Sequence, residues 1–304
     1  MAAVKERCSE FVPASDVLLL RLDVLGPEST LQAAALAAFD AFEGAGVDYI
    51  FHNAGASQHA VVEETSVAVA TQLLNLNLHA AVNVARVTLP YMLDKGKGWH
   101  VVISSMAGVV PSPGQAVYAA AKAGLRAYFG SLKAELAGSG IGATICCPGP
   151  VATGLDGHAR LVYGPEGLVE ALDATVGAAD AAPDAAPPAR RPPKGRVAVP
   201  RAVELIIRAA HRQMDEVWIA RHPVLLIGYM TQLWPSAAWT LLKIIGPARA
   251  HSLKHGADAY DARRLILAGL TGRGAGIRRP SQASTIDEGL SPRTPLAAHH
   301  ATMS

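Results

Sequence analysis

A tyrosine and a lysine four residues apart, Tyr118 and Lys122, bracket three alanines in Tyr118-Ala119-Ala120-Ala121-Lys122. On a helix that spacing puts the phenol and the ammonium on one face. A cation beside a phenol favours the phenolate, so a group with an ordinary pKa of about 10 can exchange protons nearer neutrality, as alcohol and carbonyl chemistry requires. Such a pair arises by chance about 0.18 times in a chain of this composition, so a solvated lysine beside a half-buried tyrosine is the default reading until other residues agree. Ser105, thirteen positions before Tyr118, lowers the chance expectation to about 0.01 and turns the pair into a candidate site.

The elements that must carry these residues follow from the apolar pattern. Short apolar runs at 17–22, 47–51, 99–103, 142–147 and 216–220 predict strands. Between them, helical spacing predicts helices over 27–42, about 67–93, 115–136 and 203–214. Continuous apolar strands alternating with helices predict an α/β fold with a parallel sheet covered on both faces. Ser105 then follows the end of strand 99–103, and His52-Asn53-Ala54-Gly55 ends strand 47–51. Ligands of open α/β sheets bind outside the carboxyl ends of the strands, so both motifs fall at the functional edge.

Half of the 304 residues are hydrophobic and 17% are charged, which excludes a wholly disordered chain. The net charge of +2 conceals a basic tail: from Arg263 onward there are six Arg and two acidic residues, and the rest of the chain is weakly acidic, so nucleic-acid binding is not expected. Cys8, Cys146 and Cys147 cannot form a disulfide framework and read as thiols of a reducing, intracellular compartment, with the adjacent pair in the core. No metal-ligand spacing occurs, and the N-terminus carries no secretory-signal pattern. Residues 178–196, with seven Ala and five Pro, predict a flexible insertion, and the Gly-, Arg-, Ser- and Pro-rich stretch past about 270 predicts a disordered tail. The uncharged run 223–242 is long enough to span a bilayer but is interrupted by Gly228, Gln232, Pro235 and Ser236. Three arrangements stay open for it: two hydrophobic helices packed on the domain or a partner, a monotopic membrane contact, or a span.

Taken in order, Asn53-Ala54-Gly55, Ser105, Tyr118-x-x-x-Lys122 and Pro148-Gly149 resemble the motifs of the short-chain dehydrogenase/reductase family, over roughly residues 1 to 265. Ser57-Gln58, Cys147-Pro148-Gly149-Pro150-Val151, Glu216-Val217-Trp218-Ile219 and the run from Gln232 to Asp258 are similar to that family's membrane-associated member-seven group. The resemblance implies a Rossmann-like doubly wound sheet with a C-terminal helical extension. It also implies NAD or NADP as cofactor and a small hydrophobic alcohol or carbonyl as substrate, interconverting a secondary alcohol and a ketone. It makes Tyr118 the acid/base, Lys122 the group that lowers its pKa and holds the nicotinamide ribose, Ser105 a donor to the substrate oxygen, and Asn77 the holder of a relay water. Asp23 and Val24 match the pair beside the adenine. Asn53, Ala54 and Gly55 match the turn under the cofactor, and Pro148, Gly149, Val151 and Thr153 the segment at the carboxamide. His52, His79 and the His299-His300 pair have no implied catalytic role. A homodimer and a peripheral contact through 223–242, at the endoplasmic reticulum or another membrane, complete the expectation.

One family element has no counterpart in the chain: the Gly-rich turn that opens the first helix and holds the cofactor pyrophosphate. Gly44-Ala45-Gly46, Gly138-Ser139-Gly140-Ile141-Gly142 and Gly272-Arg273-Gly274-Ala275-Gly276 all stand in other contexts. Aligned on the resemblance, residues 1–10 fall at the end of the second helix, so the sheet is expected to lack its first two strands. Strand 17–22 must then pair with strand 47–51 or leave its apolar side open. The expected organisation is an incomplete Rossmann-like core over 1–177, the insertion at 178–196, the C-terminal part of the core with its hydrophobic helices over 197–265, and the tail at 266–304. Two functions stay open at this point, an oxidoreductase and a truncated non-catalytic relative acting as an interaction or membrane-associated module.

Overall fold

The computed structural model describes residues 2–153, 161–170, 195–254 and 262–271. In chain order the helices are α1 (Ala2–Ser9), α2 (Glu28–Gly44), α3 (Val67–Leu74), α4 (Ala80–Lys95), α5 (Ala116–Glu135), α6 (Val199–His211), α7 (Val224–Leu233), α8 (Pro235–Lys254) and α9 (Ala262–Thr271). The strands are β1 (Tyr49–His52), β2 (Ser57–Gln58), β3 (Gly98–Ile103), β4 (Ile141–Pro148), β5 (Leu161–Tyr163), β6 (Leu168–Glu170) and β7 (Glu216–Ile219). The main sheet is parallel throughout in the order β1-β3-β4-β7. A small second sheet pairs β2 parallel to β5 and β5 antiparallel to β6.

Period-two alternation explains the double winding. Val102, Ile145 and Cys147 pack with Leu125 and Phe129 of α5, and that cluster continues into Leu242 and Ile245 of α8 and Leu265 of α9. Their neighbours Val101 and Cys146 pack with Ala210 of α6 on the other face. Strands buried on both sides are built mostly of apolar residues, which is why β3 and β4 read as largely apolar runs, interrupted only by the fully buried His100 and Thr144. Helix α2 covers α4 through Leu31, Ala35 and Val87, and Phe39 stacks on Tyr91 with ring centroids 5.0 Å apart.

The strand expected at 17–22 does not form. Those residues run without regular structure, with Leu18, Leu20 and Leu22 exposed, and the run ends in a turn where Leu25 N–H donates to Asp23 Oδ1 at 2.9 Å. An apolar run becomes a strand only when a neighbour takes its backbone hydrogen bonds, and β1 does not pair with it. Strand β1 accordingly ends the sheet, with Tyr49 and Phe51 partly open to solvent.

The helix expected over 67–93 runs to Lys95 and widens in its middle into a π-helical segment, Asn75–His79. The uncharged run 223–242 divides at Trp234-Pro235 into α7 and the start of α8, and α8 continues past it to Lys254. Helix α9 carries regular structure six residues beyond the expected core limit of 265, packing Leu265 and Ala268 into the main cluster. The insertion expected at 178–196 lies outside the described residues up to 194, as does the tail from 272. Among the described residues no helix is long and apolar enough to cross a membrane.

Candidate active site

Three strand ends and one helix meet at the carboxyl edge of the main sheet. Strand β3 delivers Ser104 and Ser105. The Ser104 N–H donates to Cys146 O at 2.8 Å, and its hydroxyl donates to Lys122 O at 2.8 Å, which fixes the strand end to α5. Ser105 Oγ accepts from Ala107 N–H at 3.1 Å and lies 3.4 Å from Pro148 O, at the end of β4. The following loop lies directly on α5, since a Cβ at Gly108 would come within 2.7 Å of the Lys122 carbonyl carbon. Arg126 holds that loop by donating to Gly108 O at 2.9 Å while forming a two-pronged pair with Glu216 of β7.

Lys122 is buried. Its ammonium donates to Ile103 O at 2.8 Å and sits 5.8 Å from the centroid of the half-buried Tyr118 ring, so one face of α5 carries both groups as the spacing predicts. Burial pushes the Lys122 pKa down to about 8. At neutral pH it therefore still carries most of its charge.

Asn77, in the π segment, is 1% exposed. Its Nδ2 donates to Ala56 O at 3.0 Å and Leu73 O at 3.1 Å, and its Oδ1 accepts from Ala56 N–H at 3.2 Å. The side chain thus clamps the loop that follows β1. At Gly55 in that loop a Cβ would meet Asn77 Oδ1 at 2.6 Å and Lys122 Nζ at 3.5 Å, so only a glycine lets the backbone pass between them.

These groups open on one cavity of about 630 Å³. Ser105, Tyr118, Lys122 and Asn77 line it, as do Asn53, Gly55, Pro148, Gly149, Val151 and Thr153. Gly149 approaches β7 closely, with its N–H on Ile219 O at 2.9 Å, and the backbone after it is held by a bridge between Val151 and Val197. Ala54 stands in the same loop but is not among the lining residues, and neither are Asp23 and Val24. The opposite wall comes from the C-terminal helices and is apolar apart from Arg249: Leu226 and Ile227 of α7, Leu242 and Ile245 of α8, Leu265 and Ile266 of α9.

Sequence reasoning missed several polar lining residues. Ser57 and Gln115 are bonded to one another at 2.8 Å, and Arg249 of α8 donates to Gln115 Oε1 at 2.8 Å and to Pro113 O. Arg249 comes from a helix whose docking here no local pattern announces. His52 lies in the core, 3.0 Å from His100 and against Phe129, outside the cavity lining.

The residues present suit the nicotinamide end of a dinucleotide. A glycine backbone packed against a buried ammonium and an amide, beside a tyrosine and a threonine, makes a cradle for a ring and its ribose hydroxyls. A family model described as short chain dehydrogenase matches residues 1–162. The chain belongs to the short-chain dehydrogenase family. It is 29% identical over 259 residues to dehydrogenase/reductase SDR family member 7 of Homo sapiens, covering 84% of this chain and 70% of that protein. To the Mus musculus protein of the same name it is 31% identical over 260 residues, with the same shares. A short chain dehydrogenase from Burkholderia cenocepacia J2315, crystallised in complex with NADP, has the same fold: TM-score 0.57 at 20% identity, over 78% of this chain and 82% of that one. As a short-chain dehydrogenase the protein is an NAD(P)-dependent oxidoreductase.

Proposed function

We propose that this short-chain dehydrogenase interconverts a secondary alcohol and a ketone of small, hydrophobic character, with Tyr118 as acid/base. The observation that carries the reading is the convergence of Tyr118, Lys122, Asn77 and Ser105 on one cavity that also carries an apolar surface of Leu226, Ile227, Leu242, Ile245, Leu265 and Ile266. NAD or NADP, when bound, supplies or accepts the hydride. Asn53, Gly55, Pro148, Gly149, Val151 and Thr153 would hold it, together with Lys122. In the oxidative direction the Tyr118 phenolate takes the hydroxyl proton of the substrate, and in the reductive direction the phenol returns it. The Lys122 charge beside the ring favours the phenolate. Ser105, fixed between β3 and β4, donates to the substrate oxygen as charge develops there. Asn77 keeps the loop at Ala56 in place and is assigned the relay water.

Tyr118→Phe deletes one proton and almost no surface. With millimolar cofactor and 1-phenylethanol or acetophenone as probe, it is expected to lose at least a hundredfold in kcat, the scale of general acid/base catalysis. Cofactor affinity should change little, whereas Lys122→Ala should weaken both. Turnover of Tyr118→Phe at the parent rate at neutral pH would overturn the assignment.

The same proposal includes a peripheral contact with a membrane of the cell interior through 223–242. Leu226, Tyr229, Leu233, Trp234 and Trp239 are exposed there, and from Val217 to Ala257 the sequence has no acidic residue while Arg221 and Lys243 stand exposed. Apolar and aromatic side chains amid positive charge suit an anionic headgroup layer. Flotation with phosphatidylcholine/phosphatidylserine vesicles should carry the protein upward, and recovery entirely in the dense fraction would refute the contact. The implied homodimer belongs to this proposal too and is read by sedimentation velocity.

A further inference from the structure

A helix that presents a catalytic side chain in its first turn has a problem of its own: the N–H groups of that turn have no partner within the helix. Helix α5 meets it unusually. Its N-cap residue, Gln115, makes no side-chain cap, because its amide is engaged with Ser57 and Arg249. The second and third N–H groups of the helix, those of Val117 and of Tyr118 itself, donate instead to Gln58 Oε1, at 3.1 and 3.2 Å.

Gln58 is fully buried and held on its remaining side. Its Nε2 donates to Thr65 Oγ1 at 3.0 Å, and that hydroxyl donates to Val61 O at 2.8 Å. Its backbone belongs to β2, in register with Tyr163 of β5. The segment that ends in Gln58 is also the one that carries Asn53 and Gly55 and that Asn77 clamps at Ala56. One short stretch of chain therefore fixes both the cradle and the start of the helix that bears the phenol.

We propose that Gln58 is a positioning residue for Tyr118, a cap supplied from outside the helix that sets where the phenol stands relative to the 53–56 loop. The inference rests on the reading of Tyr118 as acid/base. The Gln58 carbonyl neutralises the positive end of α5 with a dipole rather than a charge, so the environment of the phenol is left to Lys122. A carboxylate in the same place would cap equally well but would disfavour the phenolate.

The test uses the full chain with Gln58→Met, which removes the acceptor at similar volume, and Gln58→Glu, which keeps it and adds charge. Turnover of 1-phenylethanol is measured at millimolar cofactor, and the Tyr118 ring-carbon NMR signal, assigned by its loss in Tyr118→Phe, is titrated without substrate. Gln58→Met should lower kcat about tenfold with KM within twofold, since a misplaced acid/base affects chemistry more than binding. Gln58→Glu should recover most of that rate and raise the Tyr118 titration by about half a unit. A Gln58→Met protein at the parent kcat, or a Gln58→Glu protein that leaves the Tyr118 titration where it was, overturns the proposal. If Gln58→Met does not fold, the titration of Gln58→Glu alone decides. Tyr118→Phe run alongside separates the two readings: full turnover there undoes the acid/base assignment, whereas its loss together with an unaffected Gln58→Met undoes only the role of Gln58.

Discussion

His52 and His100 show how a residue can be conspicuous in type and silent in chemistry. Both are buried beside Phe129, and His100 Nε2 has no hydrogen-bond partner among the described residues. Burial pushes His52 down to about 3, helped by His100, and His100 down to about 4. Both are therefore neutral in the native protein at any moderate pH. Once unfolded they titrate near 6.5 and take up protons first, so the stability they allow is complete above about pH 6.5 and falls as the pH drops towards 4. Between pH 7 and 5 the protein should lose on the order of a few kcal/mol, read from urea midpoints. A His52→Leu/His100→Leu double variant should flatten that decline, and parallel curves for the two proteins would show that other groups cause it. From sequence, His52 was visible only as a residue at a strand end. Its partner lies 48 positions away, and only strand pairing brings the two rings together.

At the scale of elements, what periodicity encodes was legible and what neighbours decide was not. Strands β1, β3, β4 and β7 and helix α5 stand within a few residues of the pattern that predicts them, because burial on one or both faces dictates their side chains. The π segment at Asn75–His79 left no trace in a 3.6-residue period, although it contains the very asparagine that the motif singled out. Residues 17–22 had the composition of a strand and lacked a neighbour. The loop from Ser105 to Gly108 was equally opaque, since nothing local shows that its glycine rests on the backbone of α5. Gly108→Ala should therefore be costly out of proportion to one methyl group. Neither the Lys122 carbonyl nor the loop can yield without moving Ser105 or Lys122. We expect a loss of about 1–3 kcal/mol, the range for overpacking, seen as a lower urea midpoint, together with reduced turnover. A Gly108→Ala protein as stable as the parent would mean that the loop has slack the packing does not suggest.

At the scale of the whole molecule, the described residues form a parallel sheet with the candidate site at one edge and three C-terminal helices lining the cavity above it. The sheet follows from apolar periodicity, and part of the polar lining from motifs spread over residues 53 to 153. The cap does not, because α7, α8 and α9 reach the cavity only through tertiary packing that a hydrophobic run cannot specify. Asp23 and Val24, matched by motif to the adenine side, stand apart from the cavity lining because the run before them finds no place in the sheet. The central strand β4 carries one further consequence. Its adjacent thiols, Cys146 and Cys147, point to opposite faces, are fully buried, and are each pushed up to about 12 by burial. A thiol that is neither ionised nor accessible does not react, whereas Cys8 in α1 is partly exposed. An aromatic disulfide reagent should therefore consume one equivalent at once and the remaining two only as β4 comes out of the sheet. The slow phase would then time the opening of the core, so the protein carries its own stopwatch for unfolding, one that needs neither a dye nor a substrate.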